Sequence, residues 1–350
     1  MLRSWRICAL RVWAGGGNMA GMNPPRATAE GYIDFLIATP KAASAVEAAL
    51  AQPERPRAPA HDAFTRLLER LEPAPEALWA EARPLVRLAE GVLVLDDTVL
   101  DKPYARKIEL VGRHWSGKHK GVVKGIDLVS LVWTDGDLIV PCDYRVYHDA
   151  KEATKNDHFR DMIDAAHARG FRPECVLFDS WYASLENLKH LRAKGWGWLT
   201  RLKANRLVNK DRQGERPLSR TELSAEGAEV WLKGYGLVKV FKMVAPDGDI
   251  AYWATDDLAM TDLRRQQFAE YSWAIETYHR GIKQDTEVER CQARSARAQR
   301  NHIGLALRAF LRLEWHLFST GISWVAAKAN IIREAVRAYL AHPTIRLPTA

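Results

Sequence analysis

The chain has 350 residues, 47% of them hydrophobic, enough to bury a sizeable core in one large or two modest domains. A formal charge of +8 and a pI near 9.3 favour a polyanionic partner. Cys8, Cys142, Cys175 and Cys291 are far apart and form no CxxC, which argues against structural zinc and fits a reducing compartment; no apolar run approaches the roughly 18 residues of a membrane span, so no membrane partner is expected.

Residues 1–28 begin Arg-rich and free of acids through Pro24-Pro25, with Met19 and Met22 close before them. They read as an upstream start-site extension, disordered in the protein, rather than a targeting peptide. Residues 29–90 read as helices broken by Pro-rich turns, a small DNA-binding or accessory region. Within it "HDAFTRLLERL" has Asp62 as an expected N-cap and Phe64, Leu67, Leu68 and Leu71 on one face.

The pattern changes at residue 91. "GVLVLDD" is a short apolar run ending in carboxylates; "IDLVSLVW", the turn "TDGD" and "LIVPCDYRVY" follow as a hairpin. A helix is expected next, capped by Thr154, with Phe159, Met162, Ile163 and Ala166 inward and Gly170 closing it. Then come the strand "CVLFD", a helix from about Ser184 to Lys194 ended by Gly195, and the strand "GWLTRL". Residues 203–257 read as an antiparallel β insertion, and the chain is mostly helical from Asp262. The expected core is 91–202 with 258–290, followed by a helical region over 291–350.

"VLFDSWYAS" poses the chemical question, because an apolar strand runs into Asp179. A buried carboxylate needs a partner, a metal or water; the ordinary reading is an N-cap for the next helix. Asp96 ends its apolar run in the same way, so adjacent strands would bring the two carboxylates together. Such a pair repels unless a cation lies between them, and Mg²⁺ suits a carboxylate cluster. A third carboxylate is available in "EYSWAIETYHRGIKQD", where Phe268, Tyr271, Ile275, Tyr278 and Ile282 form an apolar helical stripe and Glu276 lies beside it. His279, Arg280 and Lys283 share the face of Glu276 and would grip a phosphate; the ordinary alternative is a solvated ion-pair face.

"LDDT", "FDSWY" and "IETYHRGIK" together resemble DDE-type insertion-sequence transposases, the cut-and-paste group with a β-strand insertion before the catalytic Glu, over roughly residues 30–320. The resemblance selects Asp96 over Asp97, matches Asp179, and matches Glu276 with Lys283. It implies an α/β fold, a ribonuclease H-like mixed sheet with a β-rich insertion and flanking helical regions. It further implies that Asp96, Asp179 and Glu276 hold two Mg²⁺ ions (Mn²⁺ as a substitute), with double-stranded DNA as element ends and target, a dimer assembled on DNA, and a cytoplasmic, nucleoid-associated setting in a bacterium. The sequence departs from the family pattern seven and four residues before the Glu: Ala269 and Ser272 stand where that pattern has Tyr and Arg, with Arg265 and Tyr271 out of register.

The basic residues fall in three groups. Residues 102–124 carry seven Lys or Arg against Glu109 alone, and "SGKHKG" presents Lys118 and Lys120 on a glycine-flanked loop. "TRLKANR" supplies Arg201, Lys203 and Arg206. "RCQARSARAQR" spaces Arg290, Arg294, Arg297 and Arg300 for one helical track along a phosphate backbone. Trp181, Trp231 and Trp253 are aromatics of interest, the last two as stacking platforms for an extruded base or as core. The expected activity is metal-dependent cleavage at element ends followed by strand transfer. A ribonuclease H-fold nuclease without strand transfer and a catalytically dead DNA-binding relic are the alternatives. A two-carboxylate glycosidase would leave the basic loops without purpose.

Overall fold

The computed structural model describes residues 25–40, 43–54, 56–148 and 152–345, so the expected extension through residue 24 lies outside the described residues. Four short helices, α1 (Ala29–Ala38), α2 (Ala45–Leu50), α3 (His61–Arg70) and α4 (Pro75–Ala82), open the chain. Phe64, Leu67 and Leu68 are buried as their spacing requires, but α3 starts two residues earlier than read. Ala60 precedes it without a side-chain cap, and Asp62, inside the first turn, pairs with Arg66 at 2.7 Å.

The central strands are β1 (Val92–Asp101), β2 (Gly112–Ser116), β3 (Gly121–Thr134), β4 (Ile139–Tyr147), β5 (Cys175–Phe178) and β6 (Trp198–Leu202), with α5 (Lys155–Ala168) and α6 (Leu185–Ala193) between the last three. β3 is antiparallel to both β1 and β4. β5 is parallel to β1 and to β6. Three antiparallel strands followed by two parallel ones, in the order β4-β3-β1-β5-β6, make the ribonuclease H-like sheet. The parallel crossovers need helices, and α5 and α6 supply them. Thr154 and Asp157 form a capping box at the start of α5, and Ser184 caps α6; Gly170 and Gly195 close them with φ of +86° and +72°.

The insertion strands β7 (Leu207–Asn209), β8 (Arg216–Pro217), β9 (Ala228–Leu232), β10 (Gly236–Val244) and β11 (Ile250–Thr255) do not form a separate layer. β11 pairs antiparallel with β6, and the sheet continues through β10, β9, β7 and β8. Helices α7 (Asp262–Tyr271), α8 (Trp273–Gln284), α9 (Ala296–Thr320) and α10 (Trp324–Ala341) follow. α7 and α8 interrupt what the apolar stripe reads as one helix. The break is at Ser272, whose hydroxyl donates to the Ala269 carbonyl at 2.6 Å. α7 and α8 lie on β1, while α9 packs on β4 and gathers α1, α3 and α4 against it. Among the described residues no helix is long and apolar enough to cross a membrane.

One polar cluster ties the helical layer to the middle of the sheet. Lys155, in the first turn of α5, pairs with Asp97 and with Asp127 of β3, each at 2.6 Å. The Tyr182 hydroxyl donates to the other Asp97 oxygen at 2.7 Å. Burial, then the charge of Asp97, pushes the Asp127 carboxyl up to about 7, against the pull of Lys155. Removing one partner of a buried ion pair leaves an uncompensated charge and costs about 3–5 kcal/mol. Lys155→Met is therefore expected to lower the unfolding free energy by about 3 kcal/mol or more in urea titrations; a loss below about 1 kcal/mol, the surface-pair range, would show that the cluster does not hold the sheet.

Candidate active site

Asp96 lies in the middle of β1 and does not end it. The strand continues to Asp101 because β3 keeps pairing on one side, Asp96 opposite Ser130 and Asp101 opposite Gly125. On the other side its parallel neighbour stops, since the last pair between β1 and β5 is Leu95 with Phe178. Each carboxylate therefore comes one residue after that pair, and parallel neighbours in register point their side chains to the same face. Continuing the register from Phe178–Thr200 brings Arg201 beside Asp179, and Arg201 pairs with Trp253 of β11. Asp96, Asp179, Arg201 and Trp253 thus form a row across four strands.

Asp179 is not the N-cap of the next helix. Its side chain accepts the Ser180 backbone N–H and caps the short turn Ser180–Tyr182, while Ser184 caps the helix proper. Asp179 also lines a cavity of about 360 Å³ together with Asp96, Arg201, Trp253, Ser272, Trp273 and Glu276. α8 delivers Glu276 because Ile275, Tyr278 and Ile282 are buried beside it. Two bonds fix the helix on the sheet: the Tyr278 hydroxyl to Ser130 Oγ at 3.3 Å, and Lys283 Nζ to the Val99 carbonyl at 2.8 Å. Asp97 points to the opposite face, as alternation demands, and belongs to the Lys155 cluster rather than to a turn.

The electrostatics follow from this geometry. Burial, then the charge of Asp97, and further the charges of Asp179 and Glu276, push the Asp96 carboxyl well above the usual carboxylate range. Asp96 thus faces both of the other carboxylates across the cavity. Among the described residues no three His, Cys, Asp or Glu side chains gather tightly enough to ligate one ion. Asp96, Asp179 and Glu276 offer the cavity an all-oxygen donor set whose mutual repulsion a divalent cation would relieve. On those grounds the residues present fit Mg²⁺.

The expected phosphate-binding residues separate. Arg201 and Lys203 are exposed, their cationic groups 4.9 Å and 5.7 Å from the ring centres of Trp253 and Trp181. They line a second cavity of about 630 Å³ that shares Asp179, Arg201 and Trp253 with the first and adds Arg265. Arg206 is half-buried, and burial lowers its pKa. Arg280 and Glu276 are both exposed on α8. His279 is buried, and burial, with Lys283 nearby, holds its imidazole neutral with a pKa of about 3. Lys283 is half-buried, and its bond to β1 occupies it. Lys118 reaches Asp101 at 3.4 Å, and Lys120 occupies the turn with a φ of 48°.

The single Arg track does not form. α8 ends at Gln284 and α9 begins only at Ala296, so Arg290 and Arg294 precede the helix. Lys102 Nζ holds the intervening segment through the Glu289 and Cys291 carbonyls, 2.7 Å each. Ser295 then caps the new helix. Arg297 pairs with Glu72 and donates to the Leu71 carbonyl at 3.0 Å, and burial lowers the pKa of Arg300.

Trp273 was not among the expected site residues, and Arg265 and Ser272 entered only as departures from the family pattern. Arg265 is buried, pairs with Asp262 at 2.7 Å and lines the second cavity. The available signal was its place about three helical turns ahead of Glu276, which puts both on one side of a helix. Ser272 lines the carboxylate cavity itself, and Ala269 packs against the core. Trp253 is nearly buried at 8% exposure and lines the cavity with the carboxylates, whereas Trp231 stands out at 55% and is not part of that lining.

The sequence pattern described as DDE superfamily endonuclease matches residues 21–225, more than half of the chain. That span holds Asp96 and Asp179; Glu276 lies beyond it and joins them by geometry. No curated protein matches the chain. Among solved structures, the chain is similar to the piggyBac transposase in a synaptic complex with hairpin DNA, determined by cryo-EM. The identity is 12% and the TM-score 0.49, covering 91% of this chain and 74% of that one.

The like charges around the cavity make a checkable statement about stability. Asp96→Asn removes a charge that the metal-free fold tolerates at a cost, so it should raise the unfolding free energy by about 1 kcal/mol, the size typical of relieving a functional-site strain. Equal or lower stability in the metal-free variant would mean that Asp96 is already compensated.

Proposed function

The chain belongs to the DDE superfamily endonucleases, and from that premise we propose that it is a DNA transposase, cutting DNA at the ends of an element and joining them to target DNA. The observation that carries this reading is the convergence of Asp96, Asp179 and Glu276 on one cavity from β1, the end of β5 and α8. A second observation supports the polyanionic substrate: the cavity runs into a cleft lined by Arg201, Lys203 and Arg265.

In this reading Asp96, Asp179 and Glu276 would hold two Mg²⁺ ions, which would supply Lewis-acid activation of a water or 3′-hydroxyl and of the leaving oxygen. The chain's own contribution is positional. The sheet fixes Asp96 and Asp179 side by side, and the anchored helix α8 sets Glu276 across from them. Arg201 lies next to Asp179 in the row and meets the phosphate being cut; Lys203 and Arg265 hold the strand that leads away from it. The chemistry needs no covalent intermediate with the protein, hence no nucleophilic Ser or Tyr. Double-stranded DNA as end and target, a dimer assembled on it and a nucleoid-associated setting belong to the same proposal.

One observation favours a second reading. Ser272 occupies a cavity position where the transposase pattern has Arg, so an enzyme that nicks DNA without joining it is the alternative. Asp179→Asn keeps the shape and removes one charge. Mg²⁺-dependent nicking of a duplex should fall by more than about 100-fold, beyond the loss typical of an outer-sphere change, while duplex binding persists on the cationic cleft. Wild-type nicking rates in the variant would return Asp179 to a capping role. A donor duplex with a free 3′-hydroxyl end, incubated with supercoiled plasmid and wild-type protein, should give joined products; nicked plasmid without joined donor would select the nuclease.

A further inference from the structure

β2 and the start of β3 project as a two-stranded ribbon beyond the part of the sheet that carries the carboxylates. The pairs are Gly112–Gly125, Arg113–Lys124, His114–Val123, Trp115–Val122 and Ser116–Gly121. The period of two divides the ribbon into faces. His114 and Ser116 are buried on the inner face, with the His114 ring 3.4 Å from Asp127 and edge-on to Tyr147. The outer face presents Arg113, Trp115, Val122 and Lys124, all exposed, Trp115 at 67% and Val122 at 64%. The turn between the strands adds Lys118 and Lys120.

The fold itself gives no reason for this face. Like charges directly opposite each other destabilise a strand pair, yet Arg113 faces Lys124. Among the described residues neither has an acidic partner. A tryptophan and a valine stand in water beside them, on a ribbon of a kind that is marginally stable alone. The arrangement is favourable only against a surface that is densely anionic and has apolar edges within reach. A DNA groove has both: phosphates along its rims and base edges, including thymine methyls, on its floor.

We propose that the outer face of this ribbon is a second DNA contact, separate from the catalytic cavity, in which Arg113 and Lys124 lie on phosphates and Trp115 with Val122 meets base edges in the major groove. The inference rests on the DNA reading of the cavity given above. It also fixes a reach. Ser130 is the β3 partner of Asp96, and Val122 lies eight residues farther along the same strand. At about 3.3 Å per residue that is roughly 25 Å. With 3.4 Å per base pair, the contact falls within roughly eight base pairs of the scissile phosphate.

Lys124→Glu tests the proposal because it separates a folding role from a binding one. It turns a repulsive cross-strand pair into an attractive one, so the urea midpoint of the full chain should rise. DNA affinity should fall nonetheless. The slope of log K against log salt should flatten by roughly one to two units, from the loss of one or two phosphate contacts at about 0.9 each. Footprint protection should disappear roughly eight base pairs from the cut and persist at the cut. Trp115→Ala should weaken binding about tenfold with the salt slope unchanged, since it carries no charge. A Lys124→Glu protein that binds with the wild-type slope and footprint overturns the proposal. So does a Trp115→Ala protein whose DNA affinity is unchanged while its oligomeric state in light scattering falls, because the face then belongs to a second copy of the chain. Wild-type protein that binds no duplex at low salt would remove the DNA reading of the cavity and the ribbon contact together, a result distinct from one confined to the variants.

Discussion

Two adjacent carboxylates on one central strand must point to opposite faces of the sheet, and most of the architecture answers to that constraint. Asp97 meets Lys155 and Tyr182 on the α5 side. Tyr182 follows Asp179 by three residues, so the compensation of Asp97 also fastens the segment that carries Asp179. Asp96 on the other face forms no ion pair with a cation among the described residues. Burial first, then Asp97, and further Asp179 and Glu276 raise its proton affinity. On one face of β1 the carboxylates share a lysine; on the other they face further carboxylates, the electrostatics on which the proposed Mg²⁺ site rests.

The extension of the sheet explains how substrate could reach that charge. Because β11 pairs with β6, the insertion sets its strands next to the row of Asp96, Asp179 and Arg201. The cavity and the adjoining cleft share one wall, Arg201 stacked on Trp253. A separately folded insertion would have left Arg201 and Lys203 at a sheet edge. Here they line the floor of a trench.

The net charge of +8 conceals two populations of cations. Lys102 and Lys328 are buried and donate to backbone carbonyls, Lys328 to those of Leu36, Thr39 and Asp285. Arg308 and Arg312 join α9 to Glu30 and Glu81 of the first helices. These charges build the fold. Arg113, Lys124, Arg201, Lys203 and Arg280 are exposed and form no ion pair among the described residues. Of these, Arg201 lines the cavity with the carboxylates and Lys203 the adjoining trench, Arg280 shares α8 with Glu276, and Arg113 and Lys124 stand farther out on the ribbon.

Local signals determined much of this protein. The capped and glycine-closed helices α5 and α6 were legible because caps and 3.6-residue periodicity act within a few residues. Asp96, Asp179 and Glu276 were legible as charges set into or beside apolar patterns, and the order of strands and helices along the chain agreed with the ribonuclease H-like sheet that the family resemblance implied. What the sequence could not decide was set by contacts between distant segments. β1 runs past Asp96 only because β3 continues to pair with it. The Arg track fails because Lys102, nearly two hundred residues away, holds the Glu289 and Cys291 carbonyls and interrupts the helix. His279 leaves the surface because α8 lies on the sheet with that side inward. Periodicity tells which residues share a face of an element; only the packing of that element against its neighbours tells which face meets solvent, substrate or core.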